Sequence, residues 1–202
     1  MDVKNAFLNG DLNEEVYMQP PPSLSVESNK VFHLRRALYS LKQAPQAWIA
    51  KFSSTISRLA YMTSHYDSVL FLRRTDKDTI LLLLYVDDMI IIGDDLNGIQ
   101  ELKNFLNQQS EMKDLGHLSY FLGLEITHFT DELYITQAKY ASKLLSRAGL
   151  TDSKTINTPA ELNVHLTPSG GKPLSNPSLY RRLVRSLVYF TFTHPDISYT
   201  IH

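Results

Sequence analysis

The hydrophobic and polar positions of this chain follow two periods, which predicts a mixture of strands and helices. Apolar residues run almost unbroken through Thr79 to Gly93 and are interrupted near the centre by Asp87 and Asp88. A β-hairpin suits this pattern, because its two strands enter a core while its tip stays at a surface. Further short strands are predicted over the ranges Asp2–Phe7, Val16–Met18, Val31–Leu34, Ser68–Arg73, Tyr120–Thr127 and Glu132–Thr136.

Apolar residues spaced three or four apart predict the helices. The first helix is placed at about Pro45–Tyr61, where Trp48, Phe52 and Ile56 form one stripe. The next opens at Asp94-Asp95, because acidic residues complement the free N–H groups and the dipole of a helix N-terminus. The remaining helices are predicted over about Gln137–Ala148, which stops at Gly149, and over Ser178–Phe192. This alternation of strands and helices predicts an α+β fold whose antiparallel sheet carries the acidic turn.

Composition narrows the class of protein. The chain has 202 residues, 43% of them hydrophobic and 20% charged, which suits one folded domain or one domain with an appended piece. It has no cysteine, so disulfides, thiolate zinc sites and thiol nucleophiles are excluded. The net charge of −1 counts mildly against nucleic-acid binding by the chain alone. No secretory leader and no membrane span are predicted, and no membrane partner is expected.

The two adjacent carboxylates of the hairpin are the main candidate for chemistry. Burying an unpaired anion is costly, so Asp87 and Asp88 call for a cation or hydrogen-bond donors. Mg²⁺ prefers oxygen ligands, and Asp2, on its own short predicted strand, is a candidate third carboxylate. Two metal ions about 4 Å apart would activate a 3′-hydroxyl and stabilise a leaving pyrophosphate. The competing interpretation of an Asp-Asp pair alone is a solvated turn.

Other charged groups have simpler explanations when each is taken singly. Asp94-Asp95 is expected to cap a helix, and small basic clusters are usually solvated faces. These clusters are Arg35-Arg36 with Lys42, Arg73-Arg74, and Arg181-Arg182 with Arg185.

Five motifs occur along the chain in an order that one known family shares. They are Met1–Gly10 with Val16–Met18, Leu38–Trp48, Leu84–Asp88, Asp114–Gly116 with Tyr120–Glu125, and Tyr180–Val184 with Thr193–Ile197. Together they resemble the copia-type retrotransposon reverse transcriptases, and the resemblance covers essentially the whole chain. It implies RNA-directed DNA synthesis: nucleotidyl transfer from a dNTP to a primer 3′-hydroxyl with two Mg²⁺ ions.

The resemblance also implies a division of the chain. Residues 1–136 would form a polymerase palm, an antiparallel sheet flanked by helices. Residues 137–150 would be a helix of the thumb-side region, 151–177 a Pro- and Gly-rich linker, and 178–202 a truncated C-terminal helical segment of the thumb or connection. The family's fingers would lie upstream and be missing, so the isolated chain is expected to be inactive or weak.

Site residues follow from the same resemblance. Asp2 and Asp87 would bind both metal ions, with Asp88 as a supporting acid and the Val3 carbonyl as a backbone ligand. Phe7 would lie against the sugar, or else pack in the core, and Gln43 would line the nucleotide pocket. Phe121, Leu122 and Gly123 would grip the primer end. Lys113 could protonate pyrophosphate, although a lone surface lysine is the simpler interpretation. Ser40 and Arg185 stand where the family usually carries glycine, so both are expected to be damaging.

The implied partners are an RNA template, a DNA or tRNA primer, dNTP, and the remainder of a Pol polyprotein with fingers, ribonuclease H and integrase. The implied location is a cytoplasmic virus-like particle or the nucleus. The alternative is a catalytically inactive retroelement remnant, at most a nucleic-acid-binding module. An unrelated metal-dependent hydrolase would require the accompanying motifs to be coincidences.

Overall fold

The structure is a computed structural model that describes residues 1–24, 27, 29–76, 78–152, 154–155 and 173–201. Its contacts divide the chain into two compact units, Met1–Gly116 and His117–His202. The division after Gly116 differs from the predicted palm boundary at residue 136, and that boundary stays a prediction. Of the predicted linker, residues 153 and 156–172 lie outside the described residues.

The first unit is built on antiparallel sheets. A six-stranded sheet has the order β4-β5-β6-β7-β1-β8, and β2 pairs with β3 separately. The strands are β1 (Asp2–Val3), β2 (Asp11–Met18), β3 (Phe32–Arg36), β4 (Met62–Thr63), β5 (Leu70–Arg74), β6 (Thr79–Tyr85), β7 (Asp88–Gly93) and β8 (Met112–Lys113). The helices are α1 (Ala44–Ile56) and α2 (Leu96–Gln109).

The core of this unit forms because alternate residues of the central strands turn inward. In β6, Ile80, Leu82 and Leu84 are at most 1% exposed, while the residues between them are partly accessible. They belong to one buried cluster with residues of both helices, namely Trp48, Phe52, Ile56, Leu102 and Leu106. The sheet that carries the acidic turn is therefore backed by a packed core.

The second unit combines a small sheet with helices. Its strands are β9 (Tyr120–Phe121), β10 (Leu124–His128) and β11 (Leu133–Thr136), in the order β11-β10-β9. Its helices are α3 (Ala138–Ala148), α4 (Pro177–Phe190) and α5 (Ser198–Ile201). The buried Gln137 ties them together, because its amide donates to the Tyr189 carbonyl at 3.4 Å and accepts from the Thr193 hydroxyl at 2.8 Å.

Most predicted elements are confirmed, and the overall class is mixed α/β with antiparallel sheets, consistent with α+β. The hairpin over Thr79–Gly93 pairs in register from Ile80 opposite Gly93 to Tyr85 opposite Asp88. The predicted strand Asp2–Phe7 is wrong beyond Val3. Asn5 has φ 53°, which ends the strand, and a 3₁₀ turn follows over Ala6–Asn9. The predicted single strand Tyr120–Thr127 is also wrong, because a turn at Leu122-Gly123 divides it into β9 and β10. The short strands β4 and β8 were not predicted, because two residues carry no period.

Within the part of the chain that the structure describes, no helix combines the length and apolarity that crossing a bilayer requires.

Candidate metal and nucleotide site

The acidic turn is a tight two-residue connection. Tyr85 pairs with Asp88, which leaves Val86 and Asp87 between the strands. Val86 has φ 53°, the left-handed conformation that two-residue hairpin turns require. The indole N–H of Trp48, on α1, donates to the Val86 carbonyl at 2.9 Å. This bond fixes the turn to the helix although the Val86 side chain is exposed.

The structure brings residue 2 next to the turn. Asp2 lies directly opposite Asp88 in the antiparallel pairing of β1 with β7, and the Val3 N–H donates to the Asp87 carbonyl at 2.7 Å. Directly opposed residues of an antiparallel pair project from the same face of the sheet, so the Asp2 and Asp88 side chains share one face. Asp2 is held in a paired strand although it is the second residue of the chain. Strand β1 lies between β7 and β8, and Val3 is 1% exposed.

The electrostatics of Asp2 and Asp88 favour the binding of a cation. Burial raises the pKa of the Asp88 carboxyl, and the negative charges of Asp2 and Asp87 raise this pKa further. The Met1 ammonium opposes that shift in part, and burial lowers the pKa of the Met1 amino group itself. Two opposed carboxylates without a full counter-charge supply hard oxygen donors, which is the chemistry that divalent Mg²⁺ prefers. The oxygen donors of this pair are therefore of the chemical type that the expected metal prefers.

The Asp87 side chain has its own partners in this conformation. Its Oδ1 accepts from the Ala6 N–H at 3.3 Å and from the Tyr39 hydroxyl at 3.0 Å. Among the residues described, no three His, Cys, Asp or Glu side chains group closely enough to hold an ion. The backbone thus brings Asp2, Asp87 and Asp88 together, while their carboxylates do not converge on one point.

The two predicted nucleotide residues lie on elements beside the turn. Phe7 belongs to the 3₁₀ turn after β1, packs partly against the core, and has its ring 4.9 Å from the Tyr39 ring. Both interpretations of Phe7 stay open, because its ring is only half-buried. Gln43 is half-buried at the N-cap of α1, and its side chain makes no capping bond there.

Phe121, Leu122 and Gly123 form a tight turn of the second unit. Phe121 pairs with Leu124, and the two residues between them have φ 50° and 94°. The Tyr189 hydroxyl donates to the Leu122 carbonyl. A Cβ on Gly123 would lie 3.5 Å from ring atoms of both Tyr140 and Tyr189, so the turn packs closely on aromatic rings.

Ser40 and Arg185, which stand where the family usually carries glycine, differ in backbone conformation. Ser40 has φ 78°, a conformation that costs a non-glycine residue about 1–2 kcal/mol, so strain at this position agrees with the prediction. Arg185 lies inside α4, where glycine would cost about 1 kcal/mol relative to alanine. The arginine therefore does not strain the helical backbone, and its expected damage to function stays a prediction.

The basic clusters separate into two kinds. Arg73 pairs with Asp95 at 3.1 Å and with Glu101 at 3.2 Å, and its side chain is 15% exposed, so it connects β5 to α2. Arg181, Arg182 and Arg185 are exposed on α4 and line a hollow with Ser178. The cluster on α4 is therefore accessible to a negatively charged partner.

Sequence reasoning missed the contact of Tyr39 with Asp87 and the pairing of Asp2 with Lys113. Lys113, on β8, is the direct partner of Asp2 on the side opposite Asp88. The contact of Tyr39 with Asp87 joins positions far apart in sequence, and only the fold reveals it. The available signal was that Tyr39 lies within a predicted motif and precedes Ser40, where the family carries glycine.

Comparisons with known proteins define the class. The sequence profile of the reverse transcriptase (RNA-dependent DNA polymerase) family matches residues 1–162. The chain therefore belongs to the reverse transcriptase family, and its relatives are retrotransposon Pol polyproteins of the copia type. No solved structure matches the chain.

Three relatives show how much of a longer protein the chain represents. It is 37% identical over 204 residues to the Retrovirus-related Pol polyprotein from transposon RE1 of Arabidopsis thaliana, covering 100% of the chain and 14% of the relative. It is 36% identical over 213 residues to the Retrovirus-related Pol polyprotein from transposon TNT 1-94 of Nicotiana tabacum. This match covers 100% of the chain and 16% of the relative. A putative transposon Ty5-1 protein of Saccharomyces cerevisiae is 29% identical over 205 residues, with 100% and 67% covered. The chain thus spans about one seventh of the length of the Arabidopsis thaliana Pol polyproteins that it matches.

Proposed function

We propose that this chain carries the catalytic palm of an RNA-directed DNA polymerase, with part of the thumb or connection attached. The observation that carries the proposal is the pairing of β1 with β7, which sets Asp2 opposite Asp88 and beside Asp87. Asp2, which is distant in sequence, is thereby placed beside the adjacent Asp87 and Asp88 at one end of a packed sheet. An isolated solvated turn would not require this pairing. The reverse transcriptase family generally uses a divalent metal.

In this proposal the chain's own residues prepare the site for nucleotidyl transfer. Asp2 and Asp87 would hold two Mg²⁺ ions, Asp88 would support them, and the Val3 carbonyl would be a backbone ligand. Such ions would supply neutralisation of phosphate charge and activation of the primer 3′-hydroxyl for in-line displacement of pyrophosphate from the dNTP. The rigid turn, fixed by Trp48, limits the motion of the carboxylates and so contributes through positioning.

The substrate contacts are proposed from the neighbouring elements. Phe7 would pack against the sugar of the dNTP and disfavour a 2′-hydroxyl, and Gln43 would line the same pocket. Phe121, Leu122 and Gly123 would hold the primer end, because their closely packed turn is a firm support.

The proposed partners are an RNA template and a DNA or tRNA primer, together with the fingers, ribonuclease H and integrase of a Pol polyprotein. Support comes from the relatives, which are Pol polyproteins, and from Arg181, Arg182 and Arg185, whose exposed guanidinium groups suit phosphate. The cytoplasmic virus-like particle or the nucleus is the proposed location. The alternative of a non-catalytic remnant is not favoured, since no observation points to it specifically.

The proposal is tested by primer extension on a primed RNA template with dNTP and Mg²⁺. Because the chain spans a small part of its relatives, we expect it alone to extend the primer weakly or not at all. The decisive variant therefore places residues 1–162 in the matching region of an active reverse transcriptase of this family. This chimera should extend the primer, and Asp87→Asn should lower its rate at least about a hundredfold.

Asp94→Asn in the same chimera is the matched control, since this carboxylate lies just beyond β7 and away from the turn. It should leave extension unchanged. Equal rates for the parent chimera and its Asp87→Asn variant would contradict the proposed catalytic site, and processive synthesis by the isolated chain would contradict the expected need for further parts of the polyprotein.

A further inference from the structure

We propose that Tyr39 is a positioning residue that holds the Asp87 carboxylate in a resting orientation, from which a divalent ion must release it. This inference rests on the proposed function, because it concerns the same acidic site. It goes beyond that function by assigning a role to a residue that is not itself a proposed metal ligand and acts through one, Asp87.

One oxygen atom of the Asp87 carboxylate already has two hydrogen-bond donors. Asp87 Oδ1 accepts hydrogen bonds from the Tyr39 hydroxyl at 3.0 Å and from the Ala6 N–H at 3.3 Å. Two donors satisfy a large part of the charge on this carboxylate without a metal. Its neighbour Asp88 has no comparable donor pair among the described contacts and instead faces Asp2. The three acidic residues are therefore held unequally.

Contacts with its surroundings fix the position of the Tyr39 side chain. Its ring lies 4.9 Å from the ring of Phe7, tilted by 45°, and Phe7 follows Ala6, the second donor to Asp87. After Tyr39 the backbone turns through Ser40 at φ 78°, a strained conformation that persists only when its surroundings fix it. The ring contact and the strained turn together aim the hydroxyl at the acidic turn.

Tyr39 is nevertheless able to move away, because 44% of it is exposed. Exposure makes the hydrogen bond exchangeable with water and lowers the barrier to its loss. An ion that binds at Asp2 and Asp88 attracts the Asp87 carboxylate, and this attraction competes with the two donors. The two hydrogen bonds hold the Asp87 carboxylate in one orientation, so an ion that requires a different orientation competes with them.

In this proposal the hydrogen bond from Tyr39 lowers the affinity of the acidic site for a metal ion. Tyr39→Phe removes only the hydroxyl and keeps the ring against Phe7. Asp87 then loses a donor that competes with the ion, and we expect the affinity for Mn²⁺ to rise by roughly three- to tenfold. A hydroxyl that served only the stability of the fold would not alter ion affinity in this direction.

The experiment measures Mn²⁺ binding to the full 202-residue chain by electron paramagnetic resonance of the free ion. The proteins are the parent chain, Tyr39→Phe, Asp87→Asn and the double variant. Tyr17→Phe is the matched control, because the Tyr17 hydroxyl also donates to a carboxylate, Glu15, at 3.2 Å, but lies on β2 away from the turn. Far-ultraviolet circular dichroism establishes that each variant is folded.

Tighter binding by Tyr39→Phe that disappears in the Asp87→Asn background, with Tyr17→Phe unchanged, supports the proposal. Unchanged or weaker binding by Tyr39→Phe, while Asp87→Asn loses affinity, overturns the role of Tyr39 and leaves the metal site intact. If Asp87→Asn binds like the parent chain, or no protein binds Mn²⁺, both the role of Tyr39 and the proposed function fail.

Discussion

At the scale of residues, the acidic site places like charges close together, and this lowers the stability of the fold. Asp88 faces Asp2 across two paired strands and is partly buried, so its ionised form is disfavoured by burial and by like charge. Such destabilised groups are typical of functional sites, where the cost is offset elsewhere in the fold. Here the buried cluster behind β6 and β7 offsets it.

The loss of folding stability caused by the ionised Asp88 carboxylate depends on pH. The folded-state pKa of this carboxyl is raised above its unfolded value, so the penalty is fully present when both states are ionised and absent when both are protonated. We expect Asp88→Asn to raise Tm at pH 7 by up to about 2 °C in metal-free buffer. The gain should vanish below about pH 4, near the ordinary pKa of aspartic acid.

Differential scanning calorimetry at both pH values measures this, with Asp94→Asn as the control for loss of one surface carboxylate. A lower Tm for Asp88→Asn at pH 7, or a gain that persists at the acidic pH, would show that Asp88 is not under this strain.

At the scale of elements, helix α2 depends on a group that also serves a strand. Asp95 Oδ1 accepts from the Gly98 N–H at 2.8 Å and so caps α2, while Oδ2 contacts Arg73 of β5 at 3.1 Å. A Cβ on Gly98 would lie 1.9 Å from the Arg73 guanidinium, so a larger residue there would displace the arginine from its place beside the helix. One carboxylate thus joins α2 to the sheet.

Replacement of Asp95 should therefore cost more than a surface charge. For Asp95→Ala we expect the free energy of unfolding to fall by about 1–2 kcal/mol, since a cap and a partly buried ion pair are both lost. Urea denaturation of this variant and of Asp94→Ala, its exposed neighbour, makes the comparison. A loss for Asp94→Ala as large as that for Asp95→Ala would mean that net charge, rather than capping, is responsible.

The elements also show what a sequence can predict. The hairpin over Thr79–Gly93 and the caps at Asp95 and Gly149 were predictable, because period, turn residues and capping groups are local signals. The 3₁₀ turn over Ala6–Asn9 was not, because it depends on Asn5 in the left-handed region. The candidate carboxylates were named from sequence, whereas the contact of Tyr39 with Asp87 arises only from tertiary packing.

At the scale of the whole molecule, the charges are divided unequally between the two units. Residues 1–116 carry twelve Lys and Arg against fifteen Asp and Glu, and residues 117–202 carry eight against six. The small net charge of −1 therefore conceals a second unit with a basic excess, and the argument from net charge against nucleic-acid binding does not apply to that unit.

The arginines of α4 should contribute to nucleic-acid affinity through phosphate contacts. We expect Arg182→Ala to weaken binding to a primed RNA template regardless of sequence, and to lower the slope of log affinity against log salt by about 1. Fluorescence anisotropy across a salt series measures both effects. Arg58→Ala, an exposed arginine of the first unit, is the control. An unchanged slope for Arg182→Ala would remove α4 from the proposed interface.

The central claim is that Asp2, Asp87 and Asp88 form one divalent-metal site. Crystals of the chain soaked in Mn²⁺, with the ions located by anomalous scattering, test it most directly. The account predicts a peak roughly 2.1 Å from carboxylate oxygens of Asp2 and Asp87, the usual Mg²⁺–oxygen distance, with Asp87 turned away from Tyr39. A site without a peak at saturating Mn²⁺, or ions bound only at other carboxylates, would contradict it.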